Sequence, residues 1–188
     1  MVTKVNTSVK KIVVLGPEST GKSTLCQQLA QHFKTLWVEE YAREYLTKNG
    51  TDYTYDDLLD IAKGQINLED KATSALNATT TNSRVTPLII DTDMQVMKVW
   101  CEFVFGACHP WILNQIAIRQ YDLYLLCNID LPWVKDDLRE YPDPGPRIEL
   151  YHHYKDIMIN QSVPWVDISG NYEERLEKAI AAIDQILL

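Results

Sequence analysis

The chain has 188 residues, 46% of them hydrophobic, which suits one domain of the size that buries roughly 70% of its unfolded surface on folding. With 18 basic and 26 acidic residues the net charge is −8, which argues against gripping a nucleic-acid backbone by bulk electrostatics but leaves local sites for small anions open. No run approaches the ~18 apolar residues of a membrane span. The opening MVTKVNTSVK has no apolar segment of signal-peptide length, and Cys26, Cys101, Cys108 and Cys127 form no C-x-x-C pair, so the expectation is a soluble cytosolic protein without membrane association, with free thiols and no zinc site.

The first predicted strand is residues 11–15, an apolar run rich in β-branched side chains. It feeds directly into Gly16-Pro17-Glu18-Ser19-Thr20-Gly21-Lys22-Ser23, which fits G-x-x-x-x-G-K-[ST] without a mismatch, and a helix over 22–33 follows with Leu25, Leu29 and Phe33 spaced by four. Glycines at 16 and 21 let backbone N–H groups turn inward toward phosphate oxygens, and the positive end of the helix dipole adds to them. The expectation is that Gly16, Pro17, Glu18, Ser19, Thr20, Gly21, Lys22, Ser23 and Thr24 hold a nucleoside triphosphate, with Lys22 on the β and γ phosphates and the Ser23 hydroxyl on Mg²⁺.

A short strand over 36–38 ends in Glu39-Glu40-Tyr41-Ala42-Arg43-Glu44-Tyr45. An acid here could orient a substrate hydroxyl, and Arg43 could pair with a carboxylate or a phosphate; equally, the run could be a charged first helical turn with Glu40 and Glu44 on a solvated face. A helix over 55–77 carries Leu58, Ala62, Gln65, Ile66, Ala72 and Leu76 mostly on one face, and the polar stretch 78–84 reads as a loop or frayed helix end. The strand 88–90 then runs into Asp91-Thr92-Asp93. Ligands of open α/β sheets sit at strand carboxyl ends, so Asp91 is expected to hold Mg²⁺ beside Ser23. Asp93 either caps the helix over 93–105 or faces the acceptor.

A further helix over 111–120 precedes the strand 123–127. After it, Trp133 could be an aromatic face for a ring or simply core. Arg139 and Arg147 flank the Pro/Gly-rich segment 141–146, read as a turn-rich surface loop. Arginines on a closing loop would stabilise a phosphoryl group in flight, whereas the bland reading pairs them with Asp136, Asp143 or Glu149. A strand over 163–168 and an amphipathic helix over 171–187, opened by an Asn171/Glu174 capping box, complete the chain. His109, His152 and His153 lack metal-ligand spacing. Strands separated by helices imply a parallel sheet with helices on both faces, a three-layer α/β architecture.

The motifs GPESTGKSTL, EEYAREY, DTD and PWVKDDLR, in that order and over nearly the whole chain, resemble the ribosylnicotinamide kinase domain of NadR-type NAD-biosynthesis proteins. The resemblance implies a P-loop kinase fold with a five-stranded parallel sheet, residues 1–188 as one domain and a lid over about 131–150. It also implies ATP with Mg²⁺, and transfer to the 5′-hydroxyl of nicotinamide riboside to give nicotinamide mononucleotide. By the same resemblance, Lys22 and Ser23 hold phosphate and metal, and Glu40, Tyr41 and Arg43 lie by the nucleoside. Asp91 and Asp93 lie near metal and ribose, and Arg139 belongs to the lid. Full family members carry an adenylyltransferase domain and often a DNA-binding domain; this chain starts ten residues before its first strand, so the expectation is an enzyme that stops at the mononucleotide. Two alternatives stay open: a kinase for another nucleoside or vitamin alcohol, and a nucleotide-dependent switch. The guanine-reading N-K-x-D pattern is not matched by Asn128-Ile129-Asp130. Oligomeric state is not legible.

Overall fold

The structure is a computed structural model that describes residues 9–79, 85–136, 138 and 143–188. Its elements run β1 (Val9–Leu15), α1 (Lys22–Phe33), β2 (Trp37–Val38), α2 (Tyr41–Asn49), α3 (Tyr55–Thr79) and β3 (Thr86–Asp91). They continue with α4 (Met94–Phe105), α5 (Pro110–Ile118), β4 (Leu123–Cys127), α6 (Pro144–Asn160), β5 (Trp165–Ile168) and α7 (Tyr172–Leu187). The five strands form one parallel sheet in the order β2-β3-β1-β4-β5, as expected.

The central strands are buried almost throughout, and their side chains go alternately to the two faces of the sheet, because successive side chains of a strand point to opposite sides. Val13, Leu15, Leu88, Ile90, Tyr124 and Leu126 pack with Leu76 of α3, Val96 and Val99 of α4, and Leu150, Tyr154 and Met158 of α6. Ile12, Val14, Ile89, Leu123, Leu125 and Cys127 pack on the other face with Leu25, Cys26 and Leu29 of α1 and Ala179, Ala182 and Ile183 of α7. Ile12 through Leu15 are fully enclosed, each worth about 1.5–3 kcal/mol of burial. Both faces being covered, the strands read as continuous apolar runs, which is why sequence located them. Among the described residues no helix is long and apolar enough to cross a membrane.

Two helices depart from expectation. Pro144 and Pro146 do not belong to a surface turn; they open α6, which runs to Asn160. A proline at the first helical positions loses nothing, since its missing N–H would be unpaired there. The second is α2, of which only a charged first turn was expected; it continues to Asn49 and buries Ala42 and Leu46 one turn apart. The expected capping box of α7 forms, with Asn171 Oδ1 accepting from the Glu174 N–H at 3.1 Å and Glu174 Oε2 from the Asn171 N–H at 2.8 Å. Residues 80–84 of the polar stretch and Tyr141 and Pro142 of the Pro/Gly segment lie outside the described residues.

Candidate active site

The segment between β1 and α1 adopts a backbone that few residue types allow. Gly16 has φ 139°, and a Cβ there would stand 2.7 Å from the Cys127 carbonyl of β4; Gly21 has φ 79°. Neither position accepts a side chain without strain. Ser19 also lies in the left-handed region, at φ 55°. The turn is pinned inside by Thr20 Oγ1 donating to the Pro17 carbonyl at 2.8 Å, and Lys22 Nζ donates to the same oxygen at 2.8 Å. No side chain caps α1, so its first N–H groups face the loop as an anion site.

β3 runs beside β1 with Asp91 in register with Val14, which sets the acid next to the start of α1. Ser23 Oγ donates to Asp91 Oδ2 at 2.6 Å. Asp91 is wholly buried, and its Oδ1 accepts no hydrogen bond among the described residues. Burial above all, then the nearby Glu40 carboxylate, raises this acid; Lys22, the Ser23 hydrogen bond and Arg43 pull the other way. A hydroxyl beside an unsatisfied carboxylate oxygen is a donor set that suits Mg²⁺, which prefers hard oxygens and keeps several waters or phosphate oxygens. Among the described residues no cluster of three or more His, Cys, Asp or Glu offers an all-protein metal site.

Glu40 sits at the end of β2, whose Val38 pairs with Ile90. Its Oε1 accepts from Thr92 Oγ1 at 3.3 Å. Thr92, a buried β-branched residue at φ 77°, is a strained link between Asp91 and Asp93, at a cost of about 1–3 kcal/mol. The backbone around Glu40 is held by Gln65 of α3. That side chain donates to the Glu39 carbonyl (3.3 Å) and the Asp91 carbonyl (3.1 Å) and accepts from the Tyr41 N–H (2.8 Å). The Tyr41 ring lies on Gly64 of the same helix, where a Cβ would be 2.0 Å from Cε1.

Of the two readings of Asp93, the structure realises the cap. Oδ1 accepts from the N–H groups of Gln95 and Val96 at 3.0 and 3.3 Å, and Oδ2 accepts from the Tyr124 hydroxyl at 3.1 Å. Both oxygens are taken, and burial pushes the acid up to about 7 against those hydrogen bonds.

The segment after β4 lies against the phosphate loop. Val134 N–H donates to Ser19 Oγ at 2.9 Å, and the Trp133 indole N–H reaches Glu18 Oε1 at 3.4 Å. Arg43 of α2 joins the same segment through a two-pronged contact with Asp136, at 3.1 and 3.3 Å; its partner is thus a carboxylate. Arg147 is not on a flexible loop: it is buried in the first turns of α6, and its Nη2 donates to the Ser19 carbonyl at 3.4 Å. Arg139 lies outside the described residues.

These pieces enclose a cleft of about 210 Å³. It is lined by the loop 16–24, by Glu40 and Arg43, and by Val96, Trp100, Phe103 and Tyr154. A neighbouring hollow of about 930 Å³ shares Ser23, Glu40 and Arg43 with it and is lined also by Tyr41 and Asp91. Sequence reasoning did not single out Trp100, Phe103 or Tyr154, which come together only when α4 and α6 pack on the sheet. It placed Gln65 on the helix face without a role in the site, and it did not name the buried Arg175. Arg175 ties the site together by donating to the Thr20 (2.8 Å), Asn128 (3.0 Å) and Gly170 (2.8 Å) carbonyls and pairing with Asp130. A polar side chain on an otherwise apolar helix stripe was the signal for both.

The AAA domain family AAA_28 matches residues 11–175. The trifunctional NAD biosynthesis/regulator proteins NadR of Escherichia coli (strain K12) and Salmonella typhimurium are 28% and 27% identical over 184 residues. The chain spans less than half the length of these curated relatives: 95% of the chain aligns to 43% of each. Among solved structures, a NadR protein in complex with NR superposes with a TM-score of 0.77 at 24% identity, over 95% of this chain and 50% of that one. Thymidylate kinase from Ehrlichia chaffeensis superposes with a TM-score of 0.68 at 16% identity, over 94% and 98%. The fold is that of the P-loop kinases.

Proposed function

From a chain that belongs to the AAA_28 family of AAA domains, we propose an ATP-dependent kinase that phosphorylates a nucleoside hydroxyl, with nicotinamide riboside as acceptor and nicotinamide mononucleotide as product. The observation that carries this reading is a single cleft lined both by the loop 16–24, whose Ser23 pairs with Asp91, and by an acid and aromatic side chains. Phosphoryl transfer needs little covalent help from a protein; positioning and charge stabilisation do most of the work. Lys22 leaves the Pro17 carbonyl for the β and γ phosphates. Ser23 and Asp91 would hold Mg²⁺, which would supply neutralising charge to the phosphates. Glu40, fixed by Thr92 and Gln65, orients the attacking hydroxyl. Arg147, already at the loop, and Arg139 are the cations assigned to the phosphoryl group in flight; of the lid expected over about 131–150, residues 144–150 belong to α6, and the stretch 131–136 is the part that would exclude water.

The acceptor is inferred from the site's chemistry together with the likeness to NadR proteins, one of them solved with NR. Nicotinamide riboside carries a pyridinium ring, a planar cation. Electron-rich rings such as Trp100 and Tyr154 attract such a ring over their faces, and the acid at Glu40 adds to that attraction. The test is ADP release from MgATP with a panel of nucleosides. Nicotinamide riboside is expected to stimulate turnover at least tenfold more than nicotinic acid riboside or uridine. Equal stimulation by several nucleosides would overturn the acceptor, and identical rates with and without any of them would overturn the kinase in favour of a switch.

A further inference from the structure

Four buried or half-buried tyrosines stand near the acidic floor of the sheet, and three of them commit their hydroxyls to carboxylates. Tyr121 donates to Glu69 at 3.0 Å, Tyr124 to Asp93 at 3.1 Å, and Tyr151 to Asp167. The fourth, Tyr154 of α6, is only 4% exposed and lines the cleft. Its hydroxyl makes no hydrogen bond to any described residue. The hydroxyl is not one of the polar atoms sealed inside the protein, so it faces the cleft, where a bound ligand can reach it. The surroundings say what kind of partner it suits. Glu40 and Asp93 are the charged groups whose fields reach the phenol. Burial first, and then those two negative charges, hold it protonated, so it enters the cleft as a donor. The hydrogen bonds of these two acids go elsewhere: Asp93 accepts from the Gln95 and Val96 N–H groups and the Tyr124 hydroxyl, and Glu40 Oε1 accepts from Thr92.

We propose that Tyr154 is an acceptor-binding residue whose hydroxyl donates a hydrogen bond to a non-reacting secondary hydroxyl of a ribose-bearing acceptor. This rests on the nucleoside-kinase reading and names the side chain by which the site distinguishes a riboside from its deoxy analogue. A site built to hydrogen-bond a substrate hydroxyl rejects the analogue that lacks it, because the protein group is then left unpaired. Tyr154 thereby selects ribosides over deoxyribosides.

The experiment compares wild type with Tyr154→Phe, which keeps the ring in its packing. Steady-state kinetics are measured with the best riboside of the panel and its 2′-deoxy and 3′-deoxy analogues. The riboside KM is expected to rise about tenfold in Tyr154→Phe, the value of one hydrogen bond, with the ATP KM and the melting temperature unchanged. With one of the two deoxy analogues, the variant and wild type should become equal. Partial unfolding would lower activity with all acceptors alike, so the ratio between acceptors isolates the hydrogen bond. An unchanged riboside KM, or the same loss with riboside and both deoxy analogues, would overturn the assignment while leaving the kinase standing. A wild-type protein that phosphorylates no riboside would overturn both.

Discussion

Lys22 is a charged side chain whose hydrogen bond goes to a loop carbonyl rather than to an acid. That arrangement is cheap to leave, so the ammonium is free to follow a phosphate as a point charge. Substituting Lys22→Ala should therefore cost little stability and nearly all turnover. A thermal melt within a few degrees of wild type, with kcat lowered at least a thousandfold, is the expected pair of results; turnover like that of wild type would remove Lys22 from the mechanism. The same scale shows where local reasoning reaches its limit. The conformation of the loop 16–24 was legible because its residues lie within nine positions and its glycines have their own backbone requirement. Tyr154, Trp100 and Glu40 sit far apart in the chain, and no spacing rule links them.

At the scale of elements, the strands were legible because a strand covered on both faces must be apolar throughout. α6 was not. Its buried face, Arg147, Leu150, Tyr151, Tyr154 and Met158, mixes a cation and two tyrosines with aliphatics, while Ile148 and Ile159 are exposed off that face. Of the polar members, Tyr154 lines the cleft, Tyr151 donates to Asp167 and Arg147 donates to the Ser19 carbonyl, contacts that no helical spacing announces. α3 offers a different lesson. Its entry is held by Asp57, which accepts from the Thr54 hydroxyl at 2.6 Å, the Thr54 N–H at 2.7 Å and the Tyr45 hydroxyl at 2.5 Å, joining α3 to α2. The Thr54 hydroxyl first, then Tyr45, lowers the Asp57 carboxyl to about 2 from 3.8. A depressed folded value contributes stability that is present above 3.8 and is lost as the pH falls through about 2. Asp57→Asn should flatten that acid-side loss: the difference in melting temperature between wild type and variant should shrink from pH 5 to pH 2. A difference constant across that range would show that Asp57 does not titrate as its hydrogen bonds imply.

At the scale of the whole molecule, strand order places the chemistry. β1 lies in the middle of the sheet, so its carboxyl end delivers the phosphate loop to the centre. β3 on one side supplies Asp91, β2 beyond it supplies Glu40, and β4 on the other side presents the Cys127 carbonyl that only a glycine at 16 can approach. α7 returns to lock the loop through Arg175. Every later claim, the acceptor and Tyr154 included, needs ATP to be held at that centre with a divalent cation at Ser23 and Asp91. Titration calorimetry of ATP into the folded protein, with magnesium and again with EDTA, tests this most directly. One saturable site per chain, weakened at least tenfold by EDTA and by Asp91→Asn, is the expected result; a well-folded sample that gives no heat with MgATP would contradict the account.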